Sequence, residues 1–198
     1  MKISSSFVRM SLELIIGPMF AGKSSTIMSI VKRYEAIRYP IIVLTHVLDN
    51  RYSNVSEIVN HDFQRMKANA LQELLPIFTH PSYINAKVIV IEEGQFFHDL
   101  YEFVVRAVDN DGKHVIVAGL DGDSDRKPFG QILNLVPLAD NIQKITSFCN
   151  MCSDGTAALF TYCTASKKQQ VHVGSVDKYM PLCRSHYLEL SSSTITNQ

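Results

Sequence analysis

The stretch LELIIGPMFAGKS, residues 12–24, decides how the rest of the chain is read. Residues 12–16 make a short apolar strand candidate, and residues 26–36 have the composition of a helix. Between them Gly17, Pro18, Met19, Phe20, Ala21, Gly22, Lys23 and Ser24 fit the pattern G-x-x-x-x-G-K-[ST]. In such a loop successive backbone N–H groups surround phosphate oxygens, and the helix N-terminus adds positive potential. Lys23 would hold the β and γ phosphates and Ser24 would place its hydroxyl on Mg²⁺. The glycines would let the backbone approach the ligand without a Cβ in the way. Strand, phosphate loop and helix together specify a nucleoside triphosphate, but not the reaction it enters.

Further along, IIVLT (41–45), VIVI (88–91) and VIVA (115–118) are apolar and mostly β-branched on consecutive positions, as expected of parallel strands covered on both faces. Helical stretches are expected at 68–75 and 100–109. The first ~145 residues therefore read as an α/β sheet built from crossover units. Ligands on such sheets sit outside the carboxyl ends of the strands. There the strand at 88–91 ends in Glu92 and Glu93, one acid to hold the Mg²⁺ shell and one free for proton transfer. Gly94, Gln95, Phe96 and Phe97 follow, while Asp49, Arg51 and Asp121 lie just beyond other strand ends.

At 198 residues there is room for one full domain and a small appendage. A hydrophobic content of 46% against 19% charged residues excludes a disordered chain. Nineteen Lys+Arg balance nineteen Asp+Glu, so no overall field draws the protein to nucleic acid or to an anionic membrane. The apolar runs fall far short of the ~18 residues a membrane span needs. Residues 1–11 lack the apolar stretch of a secretory signal and are expected to be a disordered extension. Four cysteines without an export signal point to a reducing compartment, the cytoplasm.

Near residue 148 the strand-helix alternation stops. Cys149-x-x-Cys152 and Cys183-x-x-His186 form two ligand pairs separated by 30 residues. Three sulfurs and one nitrogen suit a closed tetrahedral Zn²⁺ site, structural because no position stays open for water. Cys163 is left over as a free thiol. The tied segment, residues 148–190, contains Tyr179 and reads either as a lid over a flat ligand or as an ordinary zinc-ribbon loop. The polar tail 191–198 is expected to be disordered.

The motifs GPMFAGKS, LDNRYS, EEGQFF, LDGDSDRKPFG, ILNLVPLAD, CNMC, VGSVDKY and CRSH together resemble the zinc-containing, cellular-type thymidine kinase family, from residue 12 to about 187. The resemblance implies an α/β fold, a RecA-like P-loop domain (12–147) with a mainly parallel sheet, and a zinc-tethered lasso (148–190) over the base. It implies transfer of the ATP γ-phosphate to the 5′-hydroxyl of thymidine or deoxyuridine, and commonly a homotetramer inhibited by dTTP. Glu93 is similar to the family's catalytic carboxylate. Asp49, Asn50, Arg51, Glu92, Gly94 and Gln95 match positions near ATP and Mg²⁺. Met19, Phe96, Leu120 and Phe129 match residues around the sugar and base, and Tyr179 the ring on the thymine. Backbone groups of Gln170, Val171, His172, Val173 and Gly174 would hydrogen-bond the base edge.

Three positions depart from the family pattern: Glu92 stands for the usual Asp, Ser124 for a Phe found in vertebrate-like relatives, and Cys163 for an Arg. A GTPase switch is excluded by the lack of Asn-Lys-x-Asp, and a zinc-ribbon nucleic-acid binder is disfavoured by zero net charge. The remaining alternative is a P-loop nucleotide-binding zinc protein without kinase activity.

Overall fold

In the computed structural model the described residues are 10–48, 57–59, 64–165 and 178–195. Along the chain they form β1 (Ser11–Ile16), α1 (Lys23–Ala36), β2 (Ile41–His46), β3 (Glu57–Val59), β4 (Arg65–Lys67) and β5 (Asn69–Leu71). Next come α2 (Pro81–Asn85), β6 (Val88–Ile91), α3 (Leu100–Val105), β7 (His114–Gly119) and β8 (Asn141–Lys144). The C-terminal part adds β9 (Ser147–Phe148), β10 (Ala157–Ala158), β11 (Phe160–Cys163), β12 (Tyr179–Leu182) and α4 (Arg184–Ile195).

Six strands make one sheet in the order β5-β2-β6-β7-β1-β8, and every pairing in it is parallel. Alternate residues of the consecutive apolar runs point to opposite faces. Leu12, Leu14, Ile89, Ile91, Val115 and Val117 enter a core shared with Leu100, Phe103 and Val104 of α3. Ile15, Val88, Val90, Ile116 and Ala118 pack instead on Ile27, Met28 and Val31 of α1. The central strands β6 and β7 are buried at every position, which is why the runs at 88–91 and 115–118 do not alternate with polar residues.

Residues 68–75 do not form the helix their composition favours. Asn69–Leu71 joins the sheet edge as β5, parallel to β2 with Leu44 opposite Asn69, and the Asn69 amide donates to the Val43 carbonyl at 3.1 Å. Pro76 disfavours a helical Leu75, and the chain continues as a 3-10 turn over Leu75–Thr79. That turn is started by Asp99, whose Oδ2 accepts from the backbone N–H groups of Leu74 and Leu75 at 2.7 and 2.8 Å. The helix expected at 100–109 ends at Val105 and widens into a π turn over Arg106–Asn110.

The C-terminal module pairs β9 with β10 and β11 with β12 around a small core of Cys149, Ala158, Leu182, Cys183 and Tyr187. Its helix α4 runs through Ile195, past residue 191 where disorder was expected. Propagating a helix is cheap once its first turn is anchored. Here that turn carries packed Tyr187, and Ser192 keeps its hydroxyl satisfied by donating to Leu188 O at 2.8 Å. No helix among the described residues is long and apolar enough to cross a membrane.

Candidate active site

β1 delivers the chain to Gly17 at the carboxyl edge of the sheet, and α1 leaves from Gly22, which adopts a left-handed φ of 83°. Gly17 has φ 152°, and a Cβ there would collide with the Ile145 carbonyl beyond β8. Its glycine identity is thus forced by a neighbouring strand end as well as by any ligand. Lys23 is buried, and its Nζ donates to the carbonyls of Gly17 at 3.1 Å and Pro18 at 2.7 Å. The ammonium thereby braces the curve of the loop it would use to hold phosphate.

β6 lies two places from β1, across β7, and its end brings the carboxylates to this loop. Ser24 donates its hydroxyl to Glu92 Oε1 at 2.5 Å. Hydroxyl and carboxylate oxygens in contact at a helix start form the hard donor set that Mg²⁺ takes, with the longer Glu side chain reaching Ser24 without difficulty. Glu93 is 6% exposed and adopts φ 54°, a region that costs a residue with a Cβ of the order of 1–3 kcal/mol. Its carboxylate accepts a hydrogen bond from the Gln95 amide, whose oxygen accepts from the Leu120 N–H at 3.0 Å. A Cβ on Gly119 would fill the space that the Gln95 amide occupies. Gln95 therefore bridges β6 and β7 at their carboxyl ends.

Phe96 and Phe129 meet edge to face with centroids 5.6 Å apart, and the His46 ring lies 5.7 Å from that of Phe96. Burial holds His46 below the ordinary imidazole range, and its neutral Nδ1 accepts from the Leu48 N–H at 3.1 Å. Met19 in the phosphate loop donates its backbone N–H to the Thr161 hydroxyl at 3.0 Å, so β11 touches the loop directly. Tyr179 begins β12, opposite Cys163. Cys163 is a buried free thiol. Asp121 pairs with Lys144 of β8 at 2.7 Å, a tie between strand ends. Asp49, Asn50, Arg51, Gln170, Val171, His172, Val173 and Gly174 lie outside the described residues.

His46, Thr161 and Tyr187 were not singled out by the sequence reading. Only the three-dimensional neighbours give them meaning, and no local spacing carries that signal.

Cys149, Cys152, Cys183 and His186 converge, with their ligand atoms all within 4.8 Å of one another. His186 Nδ1 lies 3.4 Å from each of the three sulfurs, and the sulfurs of Cys152 and Cys183 are 3.9 Å apart. A tetrahedron with Zn–S of about 2.3 Å and Zn–N of about 2.0 Å has edges of roughly 3.5 and 3.8 Å, so the donor set fits zinc. Burial opposes ionisation of Cys149, yet hydrogen bonds from the Cys183, Cys152 and Met151 backbone and from His186 pull its thiol down to about 6. Cys152 is pushed up to about 11 by desolvation and then by its cysteine neighbours. A bound dication favours the thiolate form of its cysteine ligands.

A parallel sheet bearing a phosphate loop, with paired carboxylates at the adjoining strand end and a Cys₃His module beside them, defines a P-loop phosphotransferase. The family model for thymidine kinase matches residues 10–187, and the chain belongs to that family. "Thymidine kinase, cytosolic" of Homo sapiens is 41% identical over 189 residues, 96% of this chain and 78% of that protein. Thymidine kinase of Oryza sativa subsp. japonica is 39% identical over 182 residues, 90% of this chain and 66% of the rice protein. Thymidine kinase of Vaccinia virus (strain Western Reserve) is 39% identical over 181 residues, 90% and 97% respectively. Membership makes the chain an ATP-dependent phosphotransferase with thymidine as acceptor.

Proposed function

We propose that the protein transfers the γ-phosphoryl group of ATP to the 5′-hydroxyl of thymidine, and of deoxyuridine, with Glu93 accepting the hydroxyl proton. The observation that carries this reading is the Ser24–Glu92 contact at 2.5 Å, which makes the phosphate loop and the carboxylate pair one site. Phosphoryl transfer asks the protein chiefly for positioning and charge stabilisation. Bound Mg²⁺ would neutralise charge on the β and γ phosphates, held through Ser24 and Glu92. Lys23 and the backbone N–H groups of residues 17–24 hold the phosphates. Gln95 orients the Glu93 carboxylate. The nucleoside lies against Met19, Phe96, Leu120, Phe129 and Tyr179.

Asp49, Asn50, Arg51 and the backbone of residues 170–174 complete the ATP and base contacts in this reading. Zn²⁺ at Cys149, Cys152, Cys183 and His186 is structural. A cytoplasmic homotetramer subject to dTTP inhibition follows from the family resemblance.

Glu93→Gln keeps shape and removes the base, so turnover should fall ~10²–10⁴-fold while ATP still binds. Lys23→Ala should weaken ATP binding as well as rate. Near-normal turnover in the Glu93 variant would overturn the role given to that residue.

A further inference from the structure

Residues 120–130 form a braced loop between β7 and the segment that leads to β8. Asp123 Oδ1 accepts from the backbone N–H groups of Asp125 at 2.8 Å and Lys127 at 2.9 Å, and Gly122 bridges antiparallel to Pro128. The base of the loop is fixed by the Gln95–Leu120 bond and the Asp121–Lys144 pair. Its tip reaches the Cys₃His module. There the Tyr187 hydroxyl donates to the Ser124 carbonyl at 2.7 Å, across 63 residues of chain. The Arg126 guanidinium lies 4.6 Å from the Tyr187 ring centre and 5.5 Å from that of Phe160. The Tyr187 ring is itself 4% exposed and packs against Phe160 and Tyr162.

A buried phenol needs a hydrogen-bond partner. Here the partner sits in the loop whose far end carries Phe129, the ring that closes on Phe96. Because the loop is cross-linked internally, displacement of its tip is passed on to Phe129. Ser124 takes part through its main chain, so the bond does not depend on the side chain at that position. A serine also gives the tip less packing of its own than a larger residue would, which leaves more of the positioning to the bond and to Arg126.

We propose that Tyr187, with Arg126, is a positioning clamp that holds the 120–130 loop against the Cys₃His module and thereby sets the nucleoside wall, with no direct part in binding ATP. The proposal rests on the placement of Leu120 and Phe129 at the nucleoside given above.

The test combines steady-state kinetics with tryptic cleavage after Arg126, which reports loop opening with no nucleoside present. The adjacent Lys127–Pro128 bond resists trypsin, so the signal comes from a single bond. Tyr187→Phe keeps the ring and removes the hydroxyl. It should raise the thymidine KM about three- to tenfold, the effect of one neutral hydrogen bond, leave the ATP KM within about twofold, and speed cleavage after Arg126. Arg126→Ala should raise the thymidine KM in the same way, and the double variant should fall short of the product of the two effects because both act on one contact. Arg126→Ala removes the trypsin site and is read by kinetics alone; because Arg126 is exposed, an unchanged thymidine KM in this variant overturns the clamp even if the tyrosine variant destabilises the module. Unchanged cleavage and unchanged thymidine KM, or an equal rise in both KM values, overturns the clamp. Faster cleavage with an unaltered thymidine KM overturns instead the assignment of Leu120 and Phe129 to the nucleoside wall.

Discussion

His114, the first residue of β7, is 5% exposed and has no part in the chemistry above. Its Nδ1 lies 2.7 Å from the Ser11 hydroxyl, and its Nε2 lies 3.7 Å from Glu13 Oε1. Tyr34 of α1 faces it at 6.3 Å between ring centroids, and Asp140 acts on it from beyond β1. Burial holds the imidazole below its ordinary range and outweighs the pull of Glu13 and Asp140. The folded chain therefore takes up this proton less readily than the unfolded one. Stability from His114 is complete above the unfolded value of about 6.5 and is lost as the pH falls below it. Denaturant midpoints measured between pH 7.5 and 5.5 should fall for the native chain and fall less for His114→Gln. Parallel slopes in the two proteins would remove His114 as a source of acid sensitivity. Glu93 and Phe20, with φ of 54° and 64°, show the opposite use of a single residue. Both lie beyond strand ends in the candidate active site and store backbone strain that the surrounding contacts maintain.

The short helix α2 depends on a lysine outside it. Lys113 is 7% exposed and donates to the carbonyls of Tyr83 at 2.9 Å and Ala86 at 2.7 Å. Its ammonium also lies 4.5 Å from the Tyr83 ring centre. These carbonyls belong to the end of α2, where intrahelical partners run out and positive charge is favoured. Lys113→Met would remove the bond to the Ala86 carbonyl and leave the Tyr83 carbonyl only its 3.2 Å bond from the Ala86 N–H; it should cost ~1–3 kcal/mol, read as a lower urea midpoint. Thymidine turnover at 25 °C should survive, because Lys113 stands at the edge of the sheet opposite the phosphate loop. A midpoint identical to that of the native chain would show that water replaces the ammonium at no cost. Helices and strands differ in how far local sequence foretold them. The runs at 88–91 and 115–118 were readable because strands covered on both faces leave no polar position. The segment at 68–75 was not, because pairing with β2 outweighed helix propensity. The Cys₃His group was readable from short spacings at a turn and a helix start. Thr161 and Tyr187 were silent because their partners lie 142 and 63 residues away.

Taken as one body, the chain joins a nucleotide-binding sheet to a small module whose own core is only a handful of residues, too few to be stable without a staple. Elemental analysis should find one zinc per chain. Removing it with a chelator should raise hydrogen exchange first in β9 to β12 and α4 and last in β1 and β7. Exchange that rises first in the central strands would contradict a merely structural metal. The module also grips the catalytic body at Met19 through Thr161 and at Ser124 through Tyr187. Metal loss should therefore weaken thymidine binding before the sheet itself unfolds. The sheet order has a consequence for how the protein is made. β1 is synthesised first yet lies between β7 and β8, paired with residues 114–119 and 141–144. On the ribosome this strand must wait for residues 17–113 to be added before its first neighbour begins. Until then the phosphate loop has no strand end to spring from. The nascent polypeptide stays unable to bind nucleotide until β7 has emerged, and until then its largely apolar first strand is unpaired and open to misassociation.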